Sequence, residues 1–259
     1  MSSAPADHFS VVANNYRTFR PTYPPALFDY LADLAPGRAL AWDCATGSGQ
    51  AALALTRHFD RVIASDLSAA LLADAPPHPR ITYAEFTAES PQLDPASVDL
   101  ITVAQAIHWF DHPRFFPAAT HALKPGGILA FWGYNWPRVS PEIDAFLDAF
   151  NATVLAPHWP AQSKLLHDGY VSIRPSLPDL SAPIFTMITR WSLAQLIGHC
   201  ATWSAVSRAK TQLGSDPLLG LSLDLQSAWA TAEIRDVSWP LVLRVVQKPA
   251  ASHPSQSPA

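Results

Sequence analysis

The stretch Leu40–Ala52, LAWDCATGSGQAA, decides the fold. An apolar run ends in the acid Asp43. Ala45, Thr46, Gly47, Ser48 and Gly49 follow, and then small helix-forming residues. Strand, tight turn and helix make the opening unit of a nucleotide-binding α/β sheet. Small residues let the backbone approach a ligand, and the first turn of the helix offers amides with no intrahelical partner. Asp43 narrows the choice of ligand. A carboxylate just before the turn repels a pyrophosphate and attracts an ammonium group. Ala45 stands where such turns often carry a further glycine, and it fits there at little cost if its φ is negative.

The pattern extends outward from this turn. Residues 24–35 place Leu27, Tyr30, Leu31 and Leu34 on one helical face. After the first strand and helix, RVIASDL reads as a second strand ending at Asp66, and Ser68 caps a second helix. RITYAEF reads as a third strand and residues 97–106 as a fourth, nearly all apolar as expected of a strand buried on both faces. KPGG reads as a turn, and GILAFWGY as a fifth strand. This alternation predicts a Rossmann-like α/β fold: a doubly wound, seven-stranded, mostly parallel sheet with helices on both faces.

Beyond residue 135 the pattern changes. An amphipathic helix, a proline-punctuated stretch and a strand (PIFTMITRW) lead to a long helix over residues 192–214, capped by Ser192 and stopped by Gly214. Another helix and a late strand over residues 233–248 complete the chain. The expectation is one domain over residues 1–248, with a cofactor-binding core at 35–135. A helical insertion at 136–232 would form a lid or substrate elements, and residues 249–259 a disordered tail.

Bulk properties exclude several alternatives. The 259 residues are 49% hydrophobic and 15% charged, with a net charge of -4, which offers no electrostatic footprint for nucleic acid or an anionic membrane. Cys44 and Cys200 lie in apolar segments and make no disulfide framework, as in a reducing cytoplasm. The opening residues carry no signal-peptide pattern, and no apolar run reaches membrane-spanning length. The ten histidines are scattered, and no pair sits at metal-ligand spacing beside a carboxylate, so no metal site is expected.

Ligands of doubly wound sheets bind at the carboxyl ends of the strands. Asp66 falls at the roughly 20-residue spacing of an acid that binds both ribose hydroxyls. S-adenosylmethionine has a ribose, an adenine, an ammonium and a sulfonium, and no phosphate, so it suits Asp43 and Asp66 together. WDCATGSGQ resembles the acidic, glycine-rich signature of class I S-adenosylmethionine-dependent methyltransferases. NNYRTFRPTYPPALFDYL, ASDLS, AESPQLDPASVDLITVAQAIHWFD and LKPGGILAFWGY follow in that family's order. YRTFRPTYP and AQAIHWFD are similar to the small-molecule branch that includes trans-aconitate methyltransferase.

The resemblance implies roles. Asp43 contacts the methionine amino group. Ala45, Thr46, Gly47 and Gly49 form the cradle, and Asp66 and Leu67 bind the adenosine. Ala88 and Glu89 lie along the adenine, Gln105 and Ala106 line the methionine end, and Tyr16 and Arg20 fold over the cofactor. Thr87 departs from the acid that many relatives place there against the adenine amine. His108, Trp109 and Tyr134 are substrate-pocket candidates, joined by Trp203 and Arg208.

Plainer readings stand beside these. Asp43 or Asp66 can cap a helix, His108 and Trp109 can be core, and Trp203 and Arg208 can be packing and a solvated charge. No residue is assigned as catalytic, although His108 is a weak candidate for proton transfer. The expected reaction is methyl transfer to a small organic acceptor, with a carboxylate favoured because it needs no general base. The alternatives are a catalytically silent S-adenosylmethionine-binding scaffold and, disfavoured by Asp43, an NAD-dependent oxidoreductase. The sequence leaves monomer and homodimer open.

Overall fold

The computed structural model describes residues 20–230 and 233–250. Tyr16 and the tail from residue 251 onward lie outside the described residues. The described chain divides into two compact units, a sheet unit and a helical unit. The sheet unit comprises Pro25–Gly133, Ser172–Pro183 and residues 243–250; the helical unit comprises residues 20–24, Tyr134–Val171 and Ile184–Val242.

In the sheet unit, α1 (Pro25–Leu34) buries Leu27, Phe28, Leu31 and Ala32. Then come β1 (Leu40–Cys44), α2 (Gln50–Leu55), β2 (Arg61–Asp66), α3 (Ala69–Ala73), β3 (Ile81–Glu85), β4 (Val98–Ala104), α4 (His112–Ala122) and β5 (Leu123–Tyr134). Strands β1 to β5 pair in parallel in the order β3-β2-β1-β4-β5. The order reverses between β1 and β4, so this is the doubly wound sheet expected, and that reversal is where ligands bind. The apolar β4 is buried on both faces as predicted, with Leu100, Ile101 and Val103 wholly inaccessible.

KPGG departs from expectation. α4 runs straight into β5, and the motif forms a bulge rather than a turn. Val98 pairs with Leu123 but Leu100 with Ile128. Gly126 takes a φ of 78 there, and its amide donates to the Lys248 carbonyl at 2.9 Å. At the amino ends of the strands the buried Asp99 accepts from the Leu40 amide and from Lys124 Nζ. Asp99 is thus a structural ion pair, away from the ligand-binding ends.

The helical unit contains α5 (Pro141–Phe150), α6 (Ser163–His167), β7 (Thr186–Trp191), α7 (Leu193–Ala201), α8 (Ser204–Leu213) and α9 (Leu218–Trp229). Ser192 caps α7 as the sequence predicted, in a capping box completed by Gln195, and Gly214 at φ 68 ends α8. The single long helix expected here is instead two. The Thr202 hydroxyl donates to the His199 carbonyl at 2.7 Å, and Trp203 is extended at ψ 133. A side-chain bond to the helix backbone competes with the helical ladder, which stops there.

Among the described residues the strands number eight, where seven were expected. The two-residue β6 (Asp179–Leu180) and β7 each pair antiparallel with the final strand, β8 (Arg235–Gln247). Proline-rich residues 172–183 hid β6 from sequence pattern. Among the described residues no helix is long and apolar enough to cross a membrane, and no acidic, histidine or cysteine cluster could hold a metal ion.

Candidate active site

The cradle lies in the sheet unit at the carboxyl ends of β1, β2 and β4. Asp43 is the penultimate residue of the wholly buried β1 and is 1% exposed. Its Oδ2 accepts from the Thr46 hydroxyl at 2.5 Å, and its Oδ1 from the Thr102 hydroxyl at 2.7 Å. Ala52, in the first turn of α2, donates its amide to the same carboxylate. Gly49 caps α2 without a side chain, so Asp43 acts across the turn on amides that the helix leaves unpaired. Burial outweighs these three donors, and the Asp43 carboxyl is pushed up to about 6. A buried carboxylate this reluctant to ionise is matched to a cationic partner, which would restore its ordinary acidity.

Asp66 ends β2 beside this carboxylate. Its Oδ2 accepts from the Gly47 amide and its Oδ1 from the Ser68 amide, both at 2.9 Å. These bonds fix the carboxylate between turn and helix. Each oxygen keeps a second lone pair, as two ribose hydroxyls require. Ser68 itself caps α3, accepting from the Leu71 amide. Leu67 is exposed beside Asp66.

Glycine is needed at two cradle positions for different reasons. At Gly49 (φ 82) an added Cβ would lie 2.8 Å from the Tyr83 hydroxyl. At Gly47 (φ 56) an added Cβ would meet nothing within 4 Å, so this backbone faces open space, and glycine is favoured by the left-handed φ alone. Ala45 corrects the expectation of a negative φ: it sits at 54, in the left-handed region. The bond from the Thr46 amide to the Ser65 carbonyl, 2.8 Å, ties the next residue to β2 and holds the turn there. An L side chain in that conformation costs about 1 kcal/mol. Ala45→Gly is therefore expected to raise stability by about 1 kcal/mol, read as a higher urea midpoint. A lowered midpoint would show that the turn does not need the left-handed conformation.

The remaining cofactor candidates line adjacent loops. Ala88 is buried after β3, and Glu89 Oε1 accepts from the Asp111 amide at 3.0 Å, tying this loop to the one after β4. Gln105 takes a φ of 57 and its amide donates to the Trp132 carbonyl at 2.8 Å. A left-handed non-glycine residue at a strand's carboxyl end is strain of the kind that collects at functional sites. Ala106 and His108 are buried in the turn over Ile107–Trp109, which His112 Nε2 braces through the Ile107 carbonyl, while Trp109 is 39% exposed.

The other predicted residues belong to the helical unit. Arg20 donates to the Tyr134 hydroxyl at 2.7 Å, and its guanidinium lies over that ring. Trp203 starts α8 within an aromatic cluster, whereas Arg208 is exposed on the same helix with Ser207, Thr211 and Gln212. Thr102 was missed by sequence reasoning. The signal was there: the one hydroxyl in β4, level with Asp43 across the β1–β4 pair.

Known proteins bear on this arrangement. A family model described as a methyltransferase domain matches residues 42–131. A solved structure from Anaeromyxobacter dehalogenans, provisionally named a type II methyltransferase, is 40% identical, covers 90% of this chain and 99% of its own, and superposes with a TM-score of 0.85. A Dictyostelium discoideum protein, provisionally named a methyltransferase, is 29% identical over 93% of this chain and 95% of its own length. The yeast protein CRG1, named as a probable S-adenosylmethionine-dependent methyltransferase, is 30% identical over 53% of this chain, which spans about half of it at 49%. The chain belongs to the class I S-adenosylmethionine-dependent methyltransferases. S-adenosylmethionine is its cofactor and methyl transfer its reaction.

Proposed function

We propose that the protein methylates a small organic acceptor on a carboxylate oxygen, with the cofactor held by the cradle residues described above. Asp43 takes the cofactor's ammonium and Asp66 its ribose. Gly47 and Gly49 give the backbone its close approach, and the loops at Ala88–Glu89 and Gln105–Ala106 flank the rest. The buried Asp43 carboxylate, just before the open backbone at Gly47, carries the cofactor assignment. The bound cofactor supplies a methyl group on a sulfonium, with a neutral thioether as the leaving group.

What the chain contributes is binding and orientation, not acid-base chemistry at the methyl group. Proximity of this kind lowers a barrier by on the order of 7–11 kcal/mol. Arg20, fixed on the Tyr134 hydroxyl, supports an acidic acceptor because a guanidinium pairs well with a carboxylate. A carboxylate attacks in its ionised form and needs no base. The soluble, cytoplasmic setting expected from the sequence fits such a substrate.

The test supplies methyl-labelled S-adenosylmethionine with a panel of organic acids and phenols. The expected product is an alkali-labile methyl ester. Alkali-stable ethers instead would move the acceptor atom to a phenol oxygen, and cofactor binding without any turnover would favour the scaffold reading.

A further inference from the structure

Glu89 stands in the loop after β3, which the cofactor placement above sets along the adenine, yet its carboxylate serves another element. Its Oε1 accepts from the Asp111 amide at 3.0 Å. Asp111 is the N-cap of α4, and its own side chain makes no capping bond. The helix starts from its carbonyl, which accepts from the Arg114 and Phe115 amides at 3.0 and 2.8 Å. Glu89 therefore supplies, from another part of the sheet unit, the anion that a helix start attracts. At the opposite end Lys248 Nζ donates to the Thr120 and Leu123 carbonyls at 2.8 and 2.6 Å. An anion at the amino end and a cation at the carboxyl end, both from outside the helix, hold α4 in place.

The start of α4 is also the end of the loop over residues 105–110, which leaves β4. Three bonds pin this loop. The Gln105 amide donates to the Trp132 carbonyl on β5 at 2.8 Å, which secures its beginning. His112 Nε2 lies 2.8 Å from the Ile107 carbonyl, but His112 is the first residue of α4 and moves with it. Glu89 ties the far end to the loop after β3. Gln105 and Ala106, the residues placed at the cofactor's methionine end, lie between the first pin and the last. Gln105 is held at φ 57, a conformation that an L residue keeps only where its surroundings over-determine it.

We infer that Glu89 is a positioning residue: by fixing the start of α4 it sets Gln105 and Ala106 against the methionine end, and it does not read the adenine. This role rests on the cofactor placement proposed above and is independent of the acceptor. Without the Glu89 carboxylate the Asp111 amide turns to water, the loop gains freedom, and Gln105 relaxes towards an ordinary φ. A ligand that reaches the methionine end must then re-order the loop as it binds. A ligand that stops at the ribose and sulfur need not.

The experiment is calorimetric titration of the full-length protein with S-adenosylhomocysteine and with 5′-methylthioadenosine. The two share adenosine and a thioether, and only the first carries the amino-acid end. Glu89→Ala is expected to weaken S-adenosylhomocysteine about tenfold and to leave 5′-methylthioadenosine within about twofold. Glu89→Gln keeps an acceptor oxygen and should recover most of that loss. Asp111→Pro removes the donor instead, and the φ of -76 at Asp111 and ψ of 153 at Phe110 already suit a proline. It should reproduce the selective loss, and the double variant Glu89→Ala, Asp111→Pro should lose no more than either alone, because one bond is removed twice. Equal weakening of both ligands by Glu89→Ala overturns the inference and makes Glu89 an adenosine contact. An unchanged S-adenosylhomocysteine affinity in Glu89→Ala or in folded Asp111→Pro overturns it too. A wild type that binds the two ligands equally overturns the methionine-end placement along with it. If Glu89→Ala fails to fold, Asp111→Pro carries the same test from the donor side.

Discussion

Replacing Asp43 with asparagine is expected to weaken S-adenosylmethionine binding on the order of 100-fold at pH 7.5, while making the ligand-free protein more stable at that pH. The two effects share one cause. Asp43 is 1% exposed, and burial raises its carboxyl from 3.8 to about 6. The folded state thus holds the Asp43 proton more tightly than the unfolded chain does. The stabilisation this provides is complete below about pH 4 and is lost as pH rises through about 6. A shift of this size corresponds to roughly 3 kcal/mol that the ligand-free protein forgoes at neutral pH.

Asparagine imitates the protonated acid in shape and charge, and the Thr46 and Thr102 hydroxyls can rotate to suit it. Urea denaturation at pH 5 and pH 7.5 should therefore show wild type losing stability across the interval and Asp43→Asn losing less. The cofactor's ammonium would meet a neutral amide and lose a charge-assisted hydrogen bond. An affinity within about threefold of wild type, or identical pH dependence of the two proteins, would remove Asp43 from the ammonium site.

What was legible in the sequence was local. Asp43, Gly47, Gly49 and Asp66 lie within one strand-helix-strand unit, and each stands at a strand end or in the turn that follows. Ser68, Ser192 and Gly214 likewise act on their own helices. Features set by partners distant in sequence were not legible. The φ of Ala45 depends on β2 holding the turn through Ser65. The bulge at KPGG arises because β5 must register with β4. Apolar spacing continues through Thr202 and Trp203, so periodicity alone shows no helix break there. The aromatic cluster of Trp136, Trp159, Trp203 and His167 draws on four segments with no common period. Only Trp203 was singled out among them, and a solvent-facing ring and a core ring have the same letter in a sequence.

Thr102→Val probes a residue behind the proposed cofactor contacts. Thr102 is wholly buried, and its hydroxyl is one of the two that address the Asp43 carboxylate. Valine keeps the shape of the strand and removes the donor, leaving Asp43 Oδ1 short of a partner. A hydrogen bond to a charged acceptor contributes about 1.5–3 kcal/mol, so the Asp43 carboxyl should rise by a further one to two pH units, roughly. Much of the variant would then carry a protonated Asp43 at pH 7, where wild type is mostly ionised. S-adenosylmethionine affinity should fall about tenfold at pH 7 and recover most of that loss by pH 8. Titrations across pH 5.5 to 8 read this directly, since the acid limb of the affinity profile moves upward. If the loss were the same at every pH, Thr102 would act through packing alone. A displaced limb instead requires that the hydroxyl set the charge of a carboxylate on the neighbouring strand. The cradle would then be a three-strand device, with its anion on β1 ionised at neutral pH because β4 supplies a donor there.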